Sequence, residues 1–174
     1  TGVKWGTLAR NVSDAATPPR IFRQEVAMWD VDTIHQFLEA AGVSRYRDFY
    51  HLALLTGARR SELAGLQWPS VDLVIGRLAV VKTLQWITGK GLAEGQPKTD
   101  KSRRSIALSP EAVALLHEIR GRQIGQQVEV AEAWQNTGYV FTRADGRPVD
   151  PNDVSKDFSE VVKSSGLPHL TLHG

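Results

Sequence analysis

The sequence predicts an α+β fold in one domain, mainly helical with a small three-stranded antiparallel sheet near its middle. Three observations lead there. Apolar residues recur at helical spacing on both sides of the chain's centre; between them the pattern changes to runs rich in branched residues separated by turn-formers. The length of 174 residues supports one ordinary core but not two.

The first dozen residues carry Val3, Leu8 and Val12 at loosely helical spacing with Trp5 beside them, and then meet Pro18-Pro19, through which no helix continues. The expectation is the end of one helix over 1–12, with a frayed terminal helix as the alternative, a linker over 13–23, and a compact domain over 24–174. Asp30 caps a helix whose Val31, Ile34, Phe37 and Leu38 share a face, with Gly42 expected to end it in the left-handed region. A second helix over about 45–56 buries Phe49, Leu52, Ala53 and Leu55 and stops at Gly57; a short one bearing Glu62, Leu63 and Leu66 runs on to Trp68. Strands are expected over 70–74, 77–83 and 103–108, with a mobile Gly-rich excursion over 85–96 between the last two.

Ser109-Pro110-Glu111 opens another helix, with a cap, a proline at the first position and an acid in the first turn; Val113, Leu115, Leu116 and Ile119 are its apolar face. A short strand over 139–142 and an Asp145-Gly146 turn follow. Asp150-Pro151 then opens a helix containing Val154, Phe158, Val161 and Val162 that ends near Gly166, and Thr171 stands where a further helix would be capped.

The chain has no cysteine, which excludes disulfide scaffolds, thiolate metal sites and cysteine nucleophiles. No run approaches the roughly 18 apolar residues that span a bilayer, and no charged-then-apolar leader opens the chain, so the expectation is a cytoplasmic protein without a membrane partner. A net charge of +2 permits a nucleic-acid partner without implying one.

Three polar signals stand out. In Thr56-Gly57-Ala58-Arg59-Arg60-Ser61-Glu62, wedged between apolar helices, an arginine at a helix junction can grip two phosphate oxygens while Glu62 holds it; a surface ion pair one turn apart is the alternative. Pro97-Lys98-Thr99-Asp100-Lys101-Ser102-Arg103-Arg104 makes a basic hairpin tip that can meet a phosphate backbone, or else a solvated turn. His169 and His173 are four apart, but Pro168 and Thr171 place a helix start between them and no glutamate occupies the zinc-motif position, so no metal site is expected. Phosphate-loop, dinucleotide and nucleophile-elbow motifs are missing from the sequence.

Taken in order, these segments resemble the tyrosine recombinases, the phage integrase family. The resemblance runs from about Gln24 to Gly174 through T-G-x-R-x-x-E-L, the G-L-x-W of 65–68, V-D-L at 71–73, the P-K-T hairpin leading into S-R-R-S-I-A-L, and G-L-P ahead of L-x-L-H. It implies the integrase-like DNA breaking-rejoining fold, with residues 1–12 ending that family's separate DNA-clamping domain. By the same resemblance Arg59 is the first catalytic arginine, Glu62 its supporting acid, Lys98 the hairpin lysine, and His173 the histidine that opens the family's H-x-x-R box, while Lys101, Arg103 and Arg104 contact DNA phosphates. Gly174 stands where the family more often has aspartate. The box's arginine and the nucleophilic tyrosine would lie beyond Gly174, which makes the chain as given an inactive fragment of a strand-transfer enzyme. Tyr46, Tyr50 and Tyr139 match no nucleophile position and read as packing residues. The implied partner is double-stranded DNA, with four protomers on it at full length and no cofactor. A non-catalytic DNA-binding module and a type IB topoisomerase are the rival readings.

Overall fold

In a computed structural model that describes residues 2–11, 28–96 and 104–172, Asp30 accepts the Thr33 N–H at 2.8 Å and starts α1 (Val31–Ala40). The helix does not end at a left-handed Gly42. It tightens into a 3₁₀ turn over Ala41–Val43, because Ala41 is completely buried and a reversal there would lift it out of the core. Gly57, at φ 60°, does end α2 (Arg47–Thr56) as expected, and α3 (Arg60–Ala64) follows within three residues. Residues 2–11 form successive turns, closed by the Thr7 N–H and hydroxyl on the Gly2 carbonyl, in place of the expected helix. The expected linker lies outside the described residues.

The three-stranded antiparallel sheet is present, in the order β1 (Val71–Asp72), β2 (Arg77–Val80), β5 (Arg104–Ala107). Leu78 pairs with Val71 on one side and Ile106 on the other. The Gly-rich stretch expected as an excursion over 85–96 forms a second hairpin, β3 (Thr83–Ile87) against β4 (Gly91–Gly95), with Trp86 opposite Leu92 and Leu84 opposite Glu94. Its glycines build the turn: Gly89 and Gly91, at φ 79° and 78°, take left-handed conformations that suit no branched residue. Gly65 allows the hairpin to dock, since a Cβ there would lie 2.8 Å from the Thr83 backbone.

Ser109 caps α4 (Pro110–Val130), whose buried residues are Ala112, Leu115, Leu116 and Ile119. Asp150 caps α5 (Pro151–Ser164) through the Asn152 N–H at 2.8 Å, and α5 buries Val154, Phe158 and Val162. The expected strand over 139–142 is reduced to isolated bridges, Gln67 to Tyr139 and Thr142 to Pro148. Tyr139, Val140 and Phe141 are buried consecutively, so the segment is covered on both sides while it pairs only at these bridges.

The helices meet in an aromatic cluster. Phe37 of α1 lies 4.9 Å, ring centre to ring centre, from Phe158 of α5 and 5.4 Å from Tyr50 of α2, and Trp29 sits 5.1 Å from Phe37. Each such pair adds about 0.5–1.5 kcal/mol beyond the area it buries. Among the described residues no helix is long and apolar enough to cross a membrane.

Candidate active site

The left-handed turn at Gly57 reverses the chain so that Arg59, in extended backbone conformation, stands directly before α3. Glu62, one turn into that helix, reaches back and accepts the Arg59 backbone N–H at 2.9 Å on Oε2, satisfying a donor the helix start leaves orphaned. The same carboxylate accepts the Arg59 guanidinium, Nη1 to Oε1 at 3.0 Å. The surface ion pair held open above is thus excluded on one side: the Glu62 side chain is 3% exposed, whereas that of Arg59 is 58% exposed.

A second arginine completes the arrangement. Arg104, first residue of β5, donates Nη1 to Oε1 and Nη2 to Oε2 of Glu62, both at 2.9 Å, as a parallel fork across 42 positions of sequence. Arg104 stands where the basic hairpin returns into the expected strand over 103–108. Arg104 pairs with Val80 inside the sheet and shares an inward face with Ile106, so its side chain enters the domain. That alternation was readable in Arg104-Ser105-Ile106 and is the signal that could have found it. Burial by itself would raise the Glu62 pKa; hydrogen bonds from Arg104, the Arg59 backbone and the Arg59 guanidinium together outweigh it and hold the carboxyl below the ordinary glutamate value. One carboxylate between two guanidiniums leaves one net positive charge.

That charge faces a cavity of about 720 Å³, lined at its polar end by Arg59 and Arg104 and elsewhere by residues including Trp29, Leu54, Phe158 and Leu172. Leu170, Thr171 and Leu172 border it, so the chain immediately before His173 runs along the same cavity as Arg59. His173 itself, with Lys98, Lys101 and Arg103, lies outside the described residues. Among the described residues the remaining nitrogens of the Arg59 guanidinium have no hydrogen-bond partner. Arg60, adjacent in sequence, is used differently: it reaches α5, donating to the Ser155 hydroxyl and the Pro151 carbonyl.

The chain's three tyrosines are spoken for. Tyr50, 1% exposed, donates to Asp157 Oδ2 at 2.6 Å, and Tyr139, 5% exposed, to Glu94 Oε1 at 2.5 Å; burial and then these carboxylates raise both phenols well above their ordinary value. Tyr46, 7% exposed, packs beside Tyr50 with the Arg45 guanidinium over its ring. None offers an accessible, easily ionised oxygen.

Comparison with known proteins bears on the family and the fold of the chain. A tyrosine recombinase XerC-like protein of Caldanaerobacter subterraneus subsp. tengcongensis is 27% identical over 168 residues, covering 90% of this chain and 43% of its own length. The fold is shared with the Tn1549 transposon integrase solved in complex with transposon right end DNA, at TM-score 0.67 and 22% identity over 90% of this chain and 49% of that one. It is shared too with a lambda integrase tetramer bound to a Holliday junction, at TM-score 0.59 and 18% identity over 98% of this chain and 43% of that one. The chain therefore spans less than half the length of each of these proteins. The model of the phage integrase family matches residues 27–174, a span that takes in the Arg59–Glu62–Arg104 cluster and every element of the domain, and the chain belongs to that family.

Proposed function

We propose that this chain is the greater part of the catalytic domain of a site-specific recombinase that cleaves and rejoins duplex DNA through a 3′-phosphotyrosyl intermediate. The observation that carries the reading is Arg59: an exposed guanidinium anchored on a buried carboxylate, with donors that have no partner among the described residues, lining a cavity that the segment before His173 also borders. A fork held rigid by a buried partner is the donor a phosphodiester needs as charge builds on its non-bridging oxygens.

In this mechanism a tyrosine oxygen attacks the phosphorus in line, forming the phosphotyrosyl bond and releasing a 5′-hydroxyl; a hydroxyl from a partner strand reverses the step. Bond energy is kept in the covalent intermediate, so the scheme calls on no nucleotide or other cofactor. Arg59 stabilises the developing charge, Lys98 protonates the departing 5′ oxygen, and His173 hydrogen-bonds the phosphate or passes on the tyrosine proton. Lys101 and Arg103 hold the backbone of the duplex. Because Tyr46, Tyr50 and Tyr139 are buried, the nucleophile is assigned to sequence beyond Gly174, and the chain on its own binds DNA without cutting it. The tetramer of lambda integrase supports a four-protomer assembly of the full-length protein on DNA.

The test is a nicked suicide duplex offered to the chain extended by its native continuation. A protein–DNA adduct that survives denaturation is expected, and Arg59→Ala should slow its formation by about 10²–10³-fold, the cost of losing one oxyanion donor. Adduct formation at the parent rate would remove Arg59 from the mechanism.

A further inference from the structure

The Glu62 carboxylate is fully subscribed. A carboxylate has about four acceptor positions, and four bonds reach this one: the two arms of the Arg104 fork, the Arg59 backbone N–H and a single Arg59 guanidinium nitrogen. Arg59 therefore has no room to form a fork of its own on Glu62. We infer that Arg104 is a positioning residue for strand transfer: by taking both oxygens of Glu62 it limits Arg59 to one guanidinium bond there and keeps the other donors of Arg59 available to the scissile phosphate. This rests on the strand-transfer reading above and adds to it a residue that acts through another, without touching the substrate.

Removing Arg104 frees two acceptor positions on a carboxylate that remains buried. A buried charge left half-paired recruits the nearest cation. That cation is Arg59, already bonded to Oε1 at 3.0 Å. Closing onto Glu62 as a fork, Arg59 would withdraw its phosphate-facing nitrogens, and the pair would become neutral where the native trio carries one positive charge. Arg104 is poorly disposed to meet DNA itself. Its fork is turned onto Glu62, and although it lines the cavity its side chain is 33% exposed against 58% for Arg59.

The experiment uses the extended chain and the nicked suicide duplex, comparing Arg59→Ala, Glu62→Gln, Arg104→Gln, Arg104→Lys and the Glu62→Gln/Arg104→Gln double variant, with DNA affinity measured across a salt series. Arg104→Gln should slow single-turnover cleavage at saturating DNA by about 10–100-fold while half-saturation and salt slope stay at parent values. Arg104→Lys should not restore the rate, because one ammonium cannot take both oxygens in parallel. The double variant should be no slower than the slower single one, since both changes break the same link. If Arg104→Gln fails to fold, Arg104→Lys, which keeps the charge beside Glu62, carries the test. Parent cleavage rates in the folded Arg104 variants, with Arg59→Ala still blocked, would overturn the positioning role alone. A loss confined to DNA affinity, with the salt slope reduced by about one, would also overturn it and make Arg104 a direct phosphate contact. If Arg59→Ala cleaves normally, both the strand-transfer reading and this inference fall.

Discussion

Glu62 shows how one residue can be both structural and electrostatic. Its lowered pKa means that the unfolded chain binds the proton more readily than the folded one over the range between the two values. The stability it contributes is therefore complete above the ordinary glutamate range and is lost as pH falls through the lowered folded value. Thermal unfolding should show the parent more stable than Glu62→Gln at pH 7, with the gap narrowing at pH 3; a gap independent of pH would mean that Glu62 contributes through packing only. Tyr50 offers a parallel case without titration in reach, its hydroxyl bonded to Asp157 and to the Val154 carbonyl at 3.1 Å. Tyr50→Phe should cost about 1–3 kcal/mol in urea unfolding, in line with a buried bond to a charged group. At this scale the Arg59–Glu62 pair was legible, because three positions along a helix start is a contact that local geometry enforces. The strand that begins at Arg104 was legible from its alternation, but its bond to Glu62 was not, because that partner lies 42 positions away and no local pattern announces it.

Among the elements, those with caps and helical periodicity were legible in the chain. Asp30, Ser109 and Asp150 each accept a backbone N–H at a helix start, as their positions ahead of apolar-periodic runs demanded. The β3–β4 hairpin was not legible. Its glycines resemble those of a loop, and its order comes from tertiary contacts: Glu94 of β4 accepts Tyr139 and pairs with Lys82 at 2.7 Å, while β3 lies against the end of α3 at Gly65. No periodicity announces such contacts. The close approach at Gly65 carries a prediction. An alanine methyl would meet the Thr83 Cα at 2.8 Å and the Lys82 carbonyl at 2.9 Å, which are backbone atoms that cannot rotate away. Gly65→Ala should cost about 1–3 kcal/mol by overpacking, and amide exchange should quicken in β3 and β4 ahead of the rest of the domain. Exchange that quickens uniformly would show that the hairpin is not held at this point.

Across the whole molecule, the cavity is bounded by parts of the chain that meet only on folding, and a bond from Trp29 ties the segment before His173 to the aromatic core. The Trp29 indole N–H donates to the Pro168 carbonyl at 2.9 Å, spanning 139 positions, while the ring packs on Phe37 and on Phe158 at 5.8 Å. The segment held this way continues through Leu170 and Leu172 along the cavity wall toward His173. It lies outside regular secondary structure, so few backbone bonds of its own restrain it. Replacing Trp29 by Phe keeps an aromatic ring in the cluster but deletes the donor, which separates the tether from the core. The expected global cost is about 1 kcal/mol, that of one hydrogen bond, with a somewhat looser fit of the smaller ring. The local effect should be larger, because opening of this segment no longer has to break that bond. Chymotrypsin should cut after Leu170 and Leu172 several-fold faster in Trp29→Phe than in the parent, at a temperature where both stay folded and cleavage elsewhere is unchanged. If the extended chain carrying the same change also slows in adduct formation with its DNA affinity intact, the tether holds His173 in register with Arg59. Equal proteolysis in parent and variant would mean that the wall is held by the packing of Leu170 and Leu172, and that Trp29 serves the aromatic core alone.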